Sequence, residues 1–198
     1  MFAKEREWRR TAGSREEILR LARSVPDQQF CTMSPNRTAR GDYVLLIEGA
    51  RYDPAVSAEA HVALLVLRVE ESISDDAECD AHARILVLVD VRPNAGWINA
   101  PGARLIPFVR KIAATIPPYY PERLRSLAVY PVPWLLVWVF TACTGTFLDK
   151  RTRAKVSMLA GPNYADSPCP VELADIATYE VIPIHCRQRY EALRIPAA

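Results

Sequence analysis

Residues 119–159 read YYPERLRSLAVYPVPWLLVWVFTACTGTFLDKRTRAKVSML, and this stretch decides the fold. Ser126–Tyr130 has strand length and composition, and Pro131, which cannot donate to a sheet ladder, is expected to end it. Pro131 and Pro133 stand just before Trp134–Phe140, seven apolar residues in succession within Trp134–Ala142, which reads as a helix apolar almost all round. Such a helix needs apolar neighbours on several sides: an ordinary core, a bound acyl chain, a partner protein or a bilayer interface. Trp134 and Trp138 are four apart and share a face, and tryptophan suits a boundary between apolar and wet surroundings. Asp149 is placed to cap a short basic helix to Ala154, and Val156–Leu159 reads as a further strand.

Working outward, Arg84–Val91 is a continuous apolar run of strand length, the mark of a central strand covered on both faces. Asp90 at its end reads as a turn former. Asp42–Glu48 is β-branched and aromatic between two glycines and reads as the first strand. Asp53-Pro54 predicts an N-cap, opening a largely buried helix from Ala55 to Ser72 that the acidic stretch Glu70–Asp80 ends. Leu105, Val109, Ile112 and Ile116 recur at helical spacing within Ala103–Ile116, with Pro107 limiting its start and Pro117-Pro118 its end. Glu5–Ala22 reads as a surface helix and Ser24–Arg40 as a connector. Pro170–Ile176 predicts a small helix and Tyr179–Ile184 a last strand. Strands separated by helices predict an α/β fold, with a mixed, mostly parallel sheet flanked by helices. The domain is expected over 41–198, behind an N-terminal helix and connector over 1–40.

Half of the 198 residues are hydrophobic, enough for a sizeable core, and the net charge of +2 is too small to argue for nucleic acid. The charge is unevenly spread. Residues 41–80 hold two basic and ten acidic side chains, whereas 81–198 hold fourteen and eight. A dense run at Lys150, Arg151, Arg153 and Lys155 is either a solvated face or a patch for anionic headgroups. Five cysteines, odd in number and without a CxxC pair, favour reduced thiols and a cytoplasmic setting. His185-Cys186 has no second ligand pair nearby in sequence, so no metal is expected. Met1–Arg10 is too charged for a secretory signal, and no apolar run approaches the roughly 20 residues that span a bilayer.

Enzyme signatures are missing: no G-x-G-x-x-G, no G-x-x-x-x-G-K-[ST], no G-x-S-x-G. His61, His82 and His185 are scattered and read as surface or structural histidines. No nucleophile has an evident base partner. No catalytic residue is assigned and no enzyme activity is expected.

Tyr120-Pro121-Glu122-Arg123-Leu124, then Pro133-Trp134, Phe147-Leu148-Asp149, and Thr152 with Lys155, occur in an order that resembles the CRAL-TRIO family. The resemblance covers residues 41–185. It implies a domain that holds one lipid in an apolar pocket under a lid, with no cofactor. By that resemblance Glu122 and Lys155, with Arg123 and Thr152, are candidates for binding a phosphoinositide or other phospholipid headgroup. A carboxylate can accept from inositol hydroxyls, and a cation and a hydroxyl suit phosphate.

A lipid tail needs apolar walls without unpaired polar groups. The floor strand Ile85–Val89, the helix Leu105–Ile116 and the strand Ser126–Tyr130 supply candidates: Val87, Val89, Leu105, Phe108, Val109, Ile112 and Val129. The lid candidates are Trp134, Leu135, Val137, Trp138, Phe140 and Phe147. Expected partners are a lipid and, transiently, a membrane surface met peripherally. The other reading is a protein-interaction module, since divergent relatives of this family bind small GTPases or self-associate.

Overall fold

The computed structural model describes residues 15–74, 84–119, 123–133 and 154–194. Their sheet runs in sequential order: β1 (Cys31–Met33), β2 (Tyr43–Glu48), β3 (Ile85–Asp90), β4 (Leu124–Val132) and β5 (Val156–Ala160). β1 is antiparallel to β2, and every later pairing is parallel. All six residues of β2 are buried, and β3 is buried but for Val89. A strand covered on both faces has no reason to alternate with polar residues, so YVLLIE and ILVLVD read as unbroken apolar runs. They pair residue for residue, from Tyr43 opposite Ile85 to Glu48 opposite Asp90.

Parity sorts the sheet's side chains into two layers. Tyr43, Leu45, Ile47, Ile85 and Val87 pack with α1 (Arg15–Arg23), α2 (Ala58–Ser74) and α3 (Ile106–Tyr119). Val44, Leu46, Leu86, Leu88, Ala128 and Tyr130 pack instead beneath Cys169, Leu173, Ile182, Cys186 and Tyr190. That second cover consists of 3₁₀ stretches at Val171–Asp175, Tyr179–Val181 and Ile184–Arg194. α2 is buried almost continuously from Ala60 to Leu67, held by the sheet below and by α1 and α3 beside it. Cys31, Cys169 and Cys186 are buried, unpaired thiols. Among the described residues no helix is long and apolar enough to cross a membrane.

Several local expectations are corrected. The connector Ser24–Arg40 contains β1, because Cys31–Met33 pairs with Ile47–Leu45 along the free edge of β2. α2 begins after Ser57, whose hydroxyl accepts from Ala60 N at 3.2 Å, while Asp53 accepts from Ala55 N at 2.8 Å in the preceding turn. Asp53 therefore builds the approach and Ser57 caps the helix. α2 also outlasts its predicted end, running to Ser74. α3 continues through Pro117-Pro118 to Tyr119. Lacking N–H groups, these prolines forgo two ladder bonds at the carboxyl end of the helix. Pro107 lies in its first turn, where no N–H is needed.

β4 does not stop at Pro131. A register shift against β5 between Val129 and Val132 absorbs the missing donor, and Gly161 N resumes the contact at Val132 O, 3.3 Å away. A Cβ on Gly161 would fall 2.9 Å from Pro131 Cβ, so glycine is what allows this close approach. Tyr179–Ile184 is not a strand. Its buried residues Val181 and Ile182 press down on a sheet face instead of extending a sheet edge, and a 3₁₀ turn serves that purpose.

Candidate functional site

On the helix side, cover is unequal. Over β2 the facing residues are buried, as are Val87 and Phe108. Toward β4 and β5 the facing apolar residues become half-buried: Val89, Leu127, Val129 and Met158 on the strands, Leu105, Val109 and Ile112 beside them. Val87, Phe108, Val89, Leu105, Ile112 and Leu127 belong to one packed cluster. Val129 stands opposite Val89 and Met158 in register, hence on the same face. Of the seven candidate tail residues, Val87, Val89, Leu105, Phe108 and Ile112 thus share the helix-side cluster, with Val129 on the same sheet face.

The helix-side core beyond these residues is closed by aromatics. Phe30, Tyr52 and Phe108 surround His61, with ring centres 4.9, 4.3 and 6.1 Å from its imidazole. His61 Nδ1 donates to Ser57 O at 3.0 Å, and Nε2 accepts from Asp53 N at 3.4 Å. Burial holds this imidazole below the usual histidine range. It is a neutral structural group with both nitrogens engaged.

At the amino ends of the parallel strands, Lys155 precedes β5 and Arg123 precedes β4. Lys155 Nζ donates to Leu124 O at 2.8 Å, so the lysine reaches across to the residue that closes the Tyr120–Leu124 motif. Backbone bonds fix both neighbours: Ile85 N donates to Arg123 O and Leu127 N to Lys155 O. An ammonium has three N–H donors, and the carbonyl uses one. Glu122, Thr152 and the lid candidates Trp134, Leu135, Val137, Trp138, Phe140 and Phe147 lie outside the described residues, as does His82.

The carboxyl ends hold a polar assembly that sequence reasoning missed. Glu48, Asp90 and Tyr130 stand in register on β2, β3 and β4, all facing the C-terminal cover. Arg92, only 1% exposed, donates to Asp90 through Nε at 2.9 Å and Nη2 at 2.7 Å. Its Nη1 donates to the carbonyls of Ser167 and Arg189. Tyr190 donates to Asp90 Oδ2 at 2.8 Å, and the Tyr130 and Tyr190 hydroxyls are 3.0 Å apart. Asp90 also accepts from Arg92 N, so the predicted turn role is real but is the smaller part of what it does. Burial, reinforced by Asp90, pushes both phenols well above their ordinary range. Burial opposes the Arg92 charge, yet the Asp90 bonds outweigh it and raise the guanidinium further. The assembly clamps the C-terminal cover to the sheet, with the Asp90 carboxylate, the Arg92 guanidinium and the Tyr130 and Tyr190 hydroxyls all engaged within it. An aspartate ending an apolar parallel strand, with arginine two residues on, was the available signal.

The CRAL/TRIO domain family's sequence profile matches residues 27–174. Among solved structures, the crystal structure of Sfh5 is similar, with a TM-score of 0.55 at 16% identity. The match covers 86% of this chain and 60% of that one, and at this identity it shows the fold alone. No curated protein matches the sequence. With three quarters of the residues inside the profile and the parallel sheet and helix layer in place, the chain belongs to the CRAL/TRIO domain family of lipid-binding proteins.

Proposed function

We propose that this domain sequesters one phospholipid, with its acyl portion on the floor between α3 and β3–β5 and its headgroup toward Lys155 and Arg123. The observation that carries the reading is the gradient of cover. Apolar side chains are sealed over β2 yet half-buried at Val89, Val129, Leu127, Val109 and Ile112. Apolar surface left partly uncovered inside a fold is stabilised by an apolar ligand, at roughly 25 cal/mol per Å² removed from water. Trp134–Phe140, between β4 and β5 in sequence, supplies apolar residues for a cover, and Glu122 with Thr152 would complete the headgroup set. Exchange between membranes through transient peripheral contact follows from such a cover, and a phosphoinositide is the headgroup that a lysine beside a carboxylate suits best.

Native mass spectrometry of gently purified protein should show one lipid-sized mass increment per chain. Val129→Trp, which fills the floor, should reduce lipid uptake from phospholipid vesicles while the fold persists by far-ultraviolet circular dichroism. A protein that is empty as purified and takes up no lipid from vesicles would sink the proposal.

A further inference from the structure

The sheet face opposite the apolar floor carries a second constellation. Glu48 closes β2, and His185 and Cys186 lie in the 3₁₀ stretch Ile184–Arg194. A Glu48 oxygen, a His185 ring nitrogen and the Cys186 sulfur all lie within 4.8 Å of one another. The Glu48 side chain is 3% exposed, and its Oε2 is buried without a hydrogen-bond partner. That oxygen lies 3.8 Å from His185 Nε2. Cys186 is buried, whereas the His185 side chain is one-third exposed and opens the cluster to solvent.

We propose that Glu48, His185 and Cys186 bind a zinc ion that clips the C-terminal cover to the carboxyl end of β2, with water as fourth ligand. The donor types select the metal. Thiolate and imidazole favour zinc over the oxygen-seeking magnesium and calcium. Charge favours it too. One thiolate, one carboxylate and one neutral imidazole bring a divalent ion to zero net charge, which a buried site beside Arg51 and Arg189 can hold. Binding forms zinc–sulfur, zinc–nitrogen and zinc–oxygen bonds and releases the Cys186 thiol proton, plus the Glu48 proton where present; nothing is oxidised.

Arg51 is the competitor, because its Nε is 3.0 Å from the same Glu48 oxygen. Neither atom makes a hydrogen bond there. Arg51 retains other partners: Nη1 donates to Asp27 Oδ2 at 2.7 Å, and its guanidinium lies 4.3 Å from the centre of the Trp97 ring. Its charge therefore stays partnered when Glu48 turns to an ion. Zinc bonds of about 2.0–2.3 Å bring donors to about 3.5 Å apart. The exposed His185 ring is the ligand free to close that gap. Glu48 is fixed by its register with Asp90, and Cys186 by its N–H bond to Pro183 O at 2.9 Å.

The test uses the full chain stripped with a chelator. Zinc is titrated against a chromophoric competitor, and cobalt(II) serves as a spectroscopic probe. The expected result is one ion per chain and a sulfur-to-cobalt charge-transfer band. His185→Ala should weaken binding by about tenfold or more, and Cys186→Ser should abolish the band. His185 is exposed enough that its truncation leaves the core intact, so a folding failure at Cys186 would not cloud the outcome. No stoichiometric zinc binding, wild-type affinity in both variants, or a cobalt spectrum without the sulfur band would each overturn the site.

Discussion

The two faces of the sheet solve the same covering problem with opposite chemistry. The helix side is apolar and aromatic, its buried imidazole, His61, held neutral among Phe30, Tyr52 and Phe108. The C-terminal side buries Asp90, Arg92, Glu48 and two tyrosines beneath irregular 3₁₀ turns. Regular helices satisfy their own backbones and can lie on an apolar face with nothing else. Short 3₁₀ turns and loops leave carbonyls unpaired, and Arg92 collects two of these, from Ser167 in the loop before the cover and from Arg189 within it. The charged face is therefore the one that fixes a loop-rich cover, while the apolar face is the one on which we propose the lipid sits.

The hardest way to break this contrast is at Arg92. Removing one partner of a buried pair leaves the other charged and dry, so Arg92→Met should cost about 3–5 kcal/mol in urea unfolding. Asp90→Leu combined with Arg92→Met should recover much of that loss. If the single variant costs less than about 1 kcal/mol, the pair is not the clamp described above.

Next come apolar truncations, where the two faces should diverge in kind. Leu88 is fully buried on the C-terminal side, and Leu88→Ala should cost about 2–5 kcal/mol without altering lipid uptake. Val129→Ala, on the half-covered floor, should cost about 1 kcal/mol yet change which acyl chains are taken up. Equal lipid phenotypes for both would erase the functional difference between the faces.

The strands of this fold were legible from runs such as ILVLVD, because burial on both faces writes itself as unbroken apolarity. The family order from Tyr120 to Lys155 was legible as a motif. The C-terminal cover was legible only at its small helix, expected over Pro170–Ile176 and found as a 3₁₀ turn at Val171–Asp175; Tyr179–Ile184 has strand-like composition, and only the sheet face beneath it dictates turns. The charged assembly was not legible, because Glu48, Asp90 and Tyr130 become neighbours only through strand register, and Arg189 and Tyr190 arrive from the far end of the chain. Ser57 lost the capping position to Asp53-Pro54 in sequence because proline after aspartate is the stronger local signal. The structure uses that signal for the turn one step earlier.

Titration separates the faces more gently. His61 is held below its ordinary 6.5, so as pH falls below that value the unfolded chain binds a proton the folded one refuses, and stability drops. Glu48, pushed up to about 7 by burial despite Arg51, does the reverse. Between 4.5 and 7 the folded chain holds a proton the unfolded one has lost, so stability falls as pH rises through that window. Asp90 also raises Glu48, while Arg189 and the hydrogen bond with Cys186 oppose the rise. In the presence of a chelator, His61→Gln should leave stability falling with rising pH, and Glu48→Gln should leave it falling with acid. His185, lowered by burial and by Arg51, adds to the acid-side loss in both. Melting temperatures across pH 4.5 to 7 that keep one slope in both variants would assign the titration elsewhere.

A small expected effect on stability tests the largest functional claim. Lys155 is half-buried, and its bond to Leu124 O is a single charge-assisted contact at the rim of β4 and β5. Lys155→Met keeps the aliphatic stem and removes that contact, so it should cost about 1–2 kcal/mol. A headgroup role would show instead in selectivity: transfer of phosphoinositide between vesicles should fall while transfer of phosphatidylcholine persists. The two readouts are separable because the lysine's remaining donors, not the one bound to Leu124, would meet a phosphate. Equal transfer of both lipids by wild type and variant would leave Lys155 as a strand-end brace, and the floor alone as the basis for lipid binding.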